Sequence, residues 1–303
     1  MNAPRALRWT ALTLTLGAVG CARGGHDAGP RVVVRGSDTL VQVAAAWAEA
    51  YAQVAPEVGV TAAGGGSGTG IAGLLDGTVD VATSSRELHA DELKKLEARY
   101  GRVDVHVVGY DALALFVHPS NPTRSLSLSA LREIWAEGGA IDTWSQVMPD
   151  ARGRIVLVGR QNGSGTYDYF RGAVCGRDAD GRGRELRGGI SELNGSAEVV
   201  EKVASAPLAL GYTGMGYKTE HVRWLPLART ATDAAVEPSR AAVRDGSYPL
   251  ARALYVITAG TPRPEVEAFV AWTRSTTGQL FVADEGYVPL DVAPPGHDLE
   301  AAR

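Results

Sequence analysis

The residues of this chain best suited to chemistry are small hydroxyls set among glycines. The stretch "TAAGGGSGTGIAGL", Thr61 to Leu74, packs six glycines around Ser67 and two threonines. It is one of three such turns, each between a β-branched run and a helical pattern. "GSDTL" (36–40) follows "RVVV", "GGGSGTGI" (64–71) follows "VGVTAA", and "RQNGSGTYDYF" (160–170) follows "RIVLVG". At such a junction the first N–H groups of the helix are unpaired and point along the positive end of its dipole. Serine and threonine hydroxyls can turn outward and donate as well, and glycine lets an anion approach the main chain. Arg160, planar and forked, stands three residues ahead of Gly163 and can hold two anion oxygens at once. One turn of this kind is usually no more than a capped helix. Three in one chain point to capture of a small oxyanion. A fourth piece, "VDVATSSREL" (79–88), sets Ser84, Ser85 and Arg86 at a strand end before a helix capped near Asp91, with Glu87 and Glu92 as alternative partners for Arg86.

Other chemistries fail on spacing. A P-loop needs a Gly-Lys-Ser/Thr end, and 61–74 holds no lysine; the dinucleotide fingerprint falls out of register there. Ser67 is not in a G-x-S-x-G elbow, because Thr69 stands where the last glycine belongs. The histidines (26, 89, 106, 118, 221 and 297) are scattered and no cysteines cluster, so neither a metal site nor a cofactor is expected. No histidine or carboxylate stands in a triad-like relation to Ser67 or Ser164, which argues against an enzyme.

The elements that must position these turns read as alternating strands and helices, an α/β architecture. Runs at 31–34, 58–60, 79–83, 103–108, 112–117, 154–159, 208–213 and 253–258 predict strands. A helix follows the first strand with Leu40, Val43, Ala44, Trp47 and Tyr51 on one face and Ser37, Asp38 and Thr39 available to cap it. Its aromatics read as core. Further helices are expected over 129–137, 196–204 and 264–273, the last ending before Gly278. The segment 174–189 interleaves arginines with acids among glycines and reads as a solvated loop.

With 303 residues, 45% hydrophobic and 21% charged, the chain is long enough for two lobes. Arg5 and Arg8 precede an apolar run that stops at Cys21, which reads as an export signal over 1–20. Cys21 after "AVG" resembles a bacterial lipoprotein box, the alternative being an ordinary signal peptide cleaved nearby; residues 21–30 then form a tether to a lipid anchor. Lipidation would leave Cys175 the only thiol, with no partner for a disulfide. The formal charge of −4 falls to −6 once Arg5 and Arg8 are removed, which argues against a nucleic-acid partner.

In the order and spacing of its motifs the chain resembles the phosphate-binding proteins of bacterial ABC phosphate importers, within the type 2 periplasmic binding protein fold. The likeness runs from Arg31 to about Leu290 and rests on "GSDTL", "GGGSGTGI.GL..G..D.A.SSREL", "GYDALALFVHPSNP", "LSLSALREIW", "RQNGSGTY", "ALGYTGMGY", "YPLARALYVIT" and "GYVPL". It implies two α/β lobes, 31–112 with 250–303 and 113–249, joined by two crossover strands with the ligand between them. By the family pattern, Thr39, the Leu40 N–H, Ser67 and Ser85 hold phosphate from one lobe, and Arg160, Ser164, Gly165 and Thr166 from the other. Two places depart from it. Ser85 stands where the best-known branch has an aspartate that accepts the proton of phosphate, though another branch also reads "SSRE". Asn162 stands where an aspartate often holds the arginine. Asp38 is a candidate for the missing acceptor and Arg86 a further candidate ligand. The resemblance implies a monomeric, exported receptor in the periplasm or cell envelope that delivers phosphate to a membrane permease. A receptor for sulfate or molybdate and a phosphate-sensing lipoprotein are the alternatives.

Overall fold

The computed structural model describes residues 29–176 and 182–290. The export signal and the Cys21 anchor therefore lie outside the described residues. β1 (Arg31–Gly36), α1 (Val41–Val54), β2 (Gly59–Ala63), α2 (Ser67–Asp76), β3 (Val81–Ser84) and α3 (Ala90–Tyr100) alternate as the sequence predicts. β1 lies between β2 and β3 and runs parallel to both. All three strands therefore end at the same edge, and the turns that leave them share it.

β4 (Val103–Val117) is one strand where the sequence pattern reads as two. Gly109 interrupts the apolar run, but a bulge against its partner strand absorbs the irregularity. Next come β5 (Leu126–Ser127), α4 (Leu128–Trp135), β6 (Val156–Arg160), α5 (Gly165–Phe170), a π turn over Arg171–Cys175, β7 (Ser191–Leu193) and α6 (Ser196–Ala204). β8 (Ala209–Gly214), β9 (Arg223–Leu225), β10 (Leu227–Ala228), α7 (Arg240–Arg244), β11 (Ala251–Ala259), α8 (Pro264–Thr273) and α9 (Thr276–Asp284) complete the chain. Among the described residues the main sheet has the order β2-β1-β3-β11-β4-β8-β6-β7, with β9 also on β4.

The long β4 is the spine. Val103–Ala112 pairs with β11, and Leu113–Val117 pairs with β8. Apolar side chains accordingly collect into separate cores, giving a two-lobed α/β molecule. One holds Val32, Val34, Trp47, Val256 and Phe269, with a smaller cluster around Ile71, Leu96 and Ile257. The other holds Leu113–Val117, Trp135, Trp144, Phe170 and Tyr212. Trp47 and Tyr51 are core, as expected: Trp47 donates to Gly278 O at 2.7 Å, and Tyr51 meets Phe269 edge-on at 5.2 Å.

Three local readings are corrected. None of Ser37, Asp38 or Thr39 caps α1, whose N-cap is Leu40 without a side-chain bond, because the Asp38 and Thr39 side chains are engaged toward the second body. α3 has its N-cap at His89, whose N–H donates to Glu92 Oε2 at 2.8 Å, rather than near Asp91. The helix over 264–273 does end before Gly278, as expected; Gly278 itself lies inside α9, where a Cβ would stand 2.3 Å from Trp272 O, so glycine there permits close packing of α8 on α9. The described end of 174–189 is pinned rather than solvated. Arg187 donates to Ile134 O, Ile141 O and Gly139 O at 3.0, 2.8 and 2.9 Å, at the C-terminal end of α4 where a cation is favoured.

Candidate functional site

Each sequence-predicted turn leaves the C-terminal end of a parallel strand, and the two cores present these ends to one another. From the first body come the β1–α1 turn (Gly36–Leu40), the start of α2 at Ser67, and the residues after β3. From the second comes the β6–α5 turn, Arg160 to Gly165. They meet closely. A Cβ on Gly165 would stand 2.2 Å from Ser67 Oγ and 2.8 Å from Ser85 Oγ, and one on Gly66, at φ +93°, would stand 2.4 Å from Gly163 O. Glycine at 66 and 165 is thus what lets two main chains come together.

The hydroxyls form one buried cluster. Thr39 Oγ1 lies 3.0 Å from Thr166 Oγ1 across the two bodies, and Ser67 Oγ lies 3.5 Å from Ser85 Oγ. Ser67 Oγ also accepts the Ser85 N–H at 3.2 Å, and Ser164 Oγ accepts the Thr166 N–H at 3.1 Å. The Leu40 N–H donates to Ser37 O at 3.1 Å, closing the turn that precedes α1.

Arg160 is 1% exposed and enters the cluster from the end of β6. Its Nη1 donates to Ser196 Oγ at 2.8 Å, and its Nη2 donates to Asn194 O at 2.7 Å and to Asp38 Oδ2 at 2.6 Å. Burial lowers its pKa, opposed by the Asp38 charge. Its Nε is buried with no hydrogen-bond partner among the described residues, a donor awaiting an acceptor. Asp38 thus clasps the arginine in place of the absent aspartate at 162, and Asn162 is exposed. The second Asp38 oxygen accepts the Gly65 N–H at 2.7 Å, so both carboxylate oxygens are engaged. Tyr217 OH bonds Asp38 O at 2.8 Å; burial pushes its phenol up to about 12, so it donates at any physiological pH.

Arg86 lies at the rim and is buried. It grips Glu92 through two bonds of 2.7 Å, and its Nε stands 3.0 Å from Asp168 Oδ2 on the opposing body. Burial works against its charge, but Glu92 and Asp168 outweigh burial and its pKa is raised. Beside this pair a recess of about 630 Å³ opens between the bodies, sharing Arg86 and Arg252 with the cluster. Cys175 lies apart, buried in the second body, and desolvation pushes its thiol up to about 11.

Sequence reasoning missed Arg252 and Asp111. The guanidinium holds Asp111 Oδ2 through Nε at 3.1 Å and Nη2 at 2.8 Å, and reaches Thr39 Oγ1 and Thr166 Oγ1 at 3.2 and 3.1 Å. The signal was present: each is a charge set in an apolar run, "DALALFV" and "ARALYVI", and the two are register partners on β4 and β11. Arg252 shares the buried strand face of Leu254 and Val256, where a charge must be paired.

Every cation around the hydroxyls is therefore already paired, and the donors that remain are hydroxyls, helix-start N–H groups and Arg160 Nε. Such a set binds an anion through oriented dipoles. Among the described residues no group of histidine, cysteine and carboxylate side chains could hold a metal ion, and no helix is long and apolar enough to cross a membrane.

Known proteins resemble this chain over most of its length. A PBP superfamily domain matches residues 22–277. The phosphate-binding protein PstS of Pseudomonas aeruginosa is 34% identical over 276 residues, covering 84% of this chain and 81% of that relative. Among solved structures, a protein from Clostridium perfringens described as a phosphate ABC transporter substrate-binding protein, with bound phosphate, superposes with a TM-score of 0.75 at 27% identity, covering 86% of this chain and all of that one. An ABC-type phosphate transport receptor from Vibrio cholerae shares the fold, with a TM-score of 0.69 at 23% identity over 86% of this chain and 100% of its own.

Proposed function

The chain belongs to the PBP superfamily, in the family of the phosphate-binding protein PstS, and from that premise we propose that it captures inorganic phosphate between its two lobes for an ABC importer. The observation that carries this reading is the convergence of Thr39, Ser67 and Ser85 from one body with Ser164, Thr166 and the unpartnered Arg160 Nε from the other. The Gly165 main chain lines the same space, and the Leu40 N–H reaches it once freed from Ser37 O. Residues 31–112 with 250–290 form one lobe, and 113–176 with 182–249 the other.

Hydrogen bonds to a charged group contribute about 1.5–3 kcal/mol each, and micromolar affinity requires about 8 kcal/mol. Six donors from two lobes suffice even after desolvation and closure are subtracted. Because the donors are divided between lobes, the anion stabilises the closed form by differential affinity, and a permease can read that form. The protein binds without catalysing. It is exported and works as a monomer; the place of Cys21, directly after "AVG" at the end of the apolar run, supports lipidation there. Asp38 serves as the holder of Arg160, and Arg86 as a rim contact between lobes, rather than as direct ligands.

The test is calorimetric titration of the purified chain with phosphate, then sulfate, alongside Arg160→Ala. One saturable site for phosphate, weakened by at least about tenfold in the variant, supports the reading. No saturable heat with phosphate refutes it.

A further inference from the structure

Arg252 and Asp111 are a buried ion pair, 2% and 0% exposed, in the strands that join the two lobes. Such pairs seldom stabilise a fold relative to apolar residues of similar size, so a specific use for this one is worth seeking. Its contacts point to one. From a single guanidinium, Nη1 donates to Ser85 O at 3.2 Å and Nη2 reaches Thr39 Oγ1 in one body and Thr166 Oγ1 in the other. Asp111 is itself held by the Met215 N–H at 3.2 Å.

Resting on the phosphate reading above, we propose that Arg252, fixed by Asp111, is a positioning residue: it takes a lone pair on each of the Thr39 and Thr166 hydroxyls, which bond to one another until the anion parts them, so that both hydrogens then turn to the anion and the site is biased to the more deprotonated tetrahedral oxyanion. A hydroxyl carries one hydrogen and two lone pairs. When a guanidinium N–H takes a lone pair, its charge repels the hydroxyl hydrogen, which turns to the opposite side. Backbone N–H groups do the same for Ser67 and Ser164. Both nearby carboxylates are engaged, Asp38 by Arg160 and Gly65, and Asp111 by Arg252 and Met215. Among the described residues, Ser85 Oγ is the one of these five hydroxyls with no N–H fixed on it, and so the one freest to accept a hydrogen carried by the ligand. An anion with more hydrogens meets donors facing donors.

The experiment is phosphate calorimetry well below and well above the second ionisation of phosphate, with sulfate, which carries no proton in either condition, as the control probe. Wild type is compared with Arg252→Lys and with the double variant Arg252→Met/Asp111→Leu, which removes the pair without leaving a buried charge. Groups facing Arg252 are Asp111 on β4 and Tyr169, with its charged carbon 5.6 Å from that ring centroid; Tyr217, Tyr248 and Tyr287 interact with Asp111. Burial raises all four phenols, so none titrates in this range.

The wild type is expected to bind phosphate about tenfold more tightly in the more basic condition, the equivalent of one charge-assisted hydrogen bond. The folded double variant should lose that slope while sulfate affinity changes by the same factor in both conditions, and Arg252→Lys should restore part of the slope. A double variant that binds phosphate with the wild-type slope overturns the positioning role and leaves the phosphate reading standing. A wild type that binds no phosphate in either condition overturns both.

Discussion

Gly165→Ala tests the meeting of the two bodies at one atom. In the closed form the added methyl would stand 2.2 Å from Ser67 Oγ, 2.8 Å from Ser85 Oγ and 2.9 Å from Ser67 Cβ. Ordinary contact needs about 3.5 Å, so more than an ångström must be found. Two relaxations are available. Ser67 can swing its hydroxyl away and lose one anion bond, or the bodies can part and give up several, including the 3.0 Å Thr39–Thr166 contact. The loss lies between about 2 and about 4 kcal/mol, or roughly 30- to 1,000-fold in phosphate affinity. Folding should not suffer, because Gly165 starts α5 without a positive φ and alanine is the better helix former. Gly163→Ala is the matched control, since its Cβ would meet nothing within 4 Å. Titration calorimetry and thermal unfolding of both variants make the assay. Phosphate binding by Gly165→Ala within about threefold of Gly163→Ala would refute the reasoning, because it would mean that these turns do not close on each other when the anion is held.

Other perturbations follow from the same contacts. Asp38→Asn removes the charge that clasps Arg160 across the lobes; a larger radius of gyration without ligand and about tenfold weaker phosphate binding are expected, by scattering and calorimetry. Trp47→Ala should cost about 3–5 kcal/mol in urea unfolding, and a loss under about 1 kcal/mol would contradict its place in the core. Glu92 tests a pH dependence. Burial pushes its carboxyl up, but Arg86 and the His89 N–H pull it further down, below the ordinary 4.5. A depressed folded-state pKa contributes stability above that ordinary value and loses it as pH falls through the folded one. The stability gap between wild type and Glu92→Gln should therefore be constant near neutrality and close as pH falls below the ordinary 4.5 and through the depressed folded-state value.

What the sequence made legible was local: the period-2 runs, the helix faces and the strand-to-helix turns depend on neighbours in the chain. Hence α6 and α8 lie where the apolar pattern puts them, and Trp47 and Tyr51 are inward. What it hid depends on partners far away in the chain. Asp38 reads as a helix cap until Arg160, 122 residues later, supplies a stronger partner. Arg252 and Asp111 are 141 residues apart, and each alone is only a charge in an apolar strand. Arg187 reads as part of a solvated run because the carbonyls it holds belong to the end of α4 and the turn beyond.

The most direct measurement is a crystal structure of this protein grown with phosphate. One ion should lie within hydrogen-bonding reach of Thr39 and Ser67 from one lobe, and of Thr166 and Arg160 Nε from the other. An ion held by one lobe alone, or seated away from these four residues, would contradict the account.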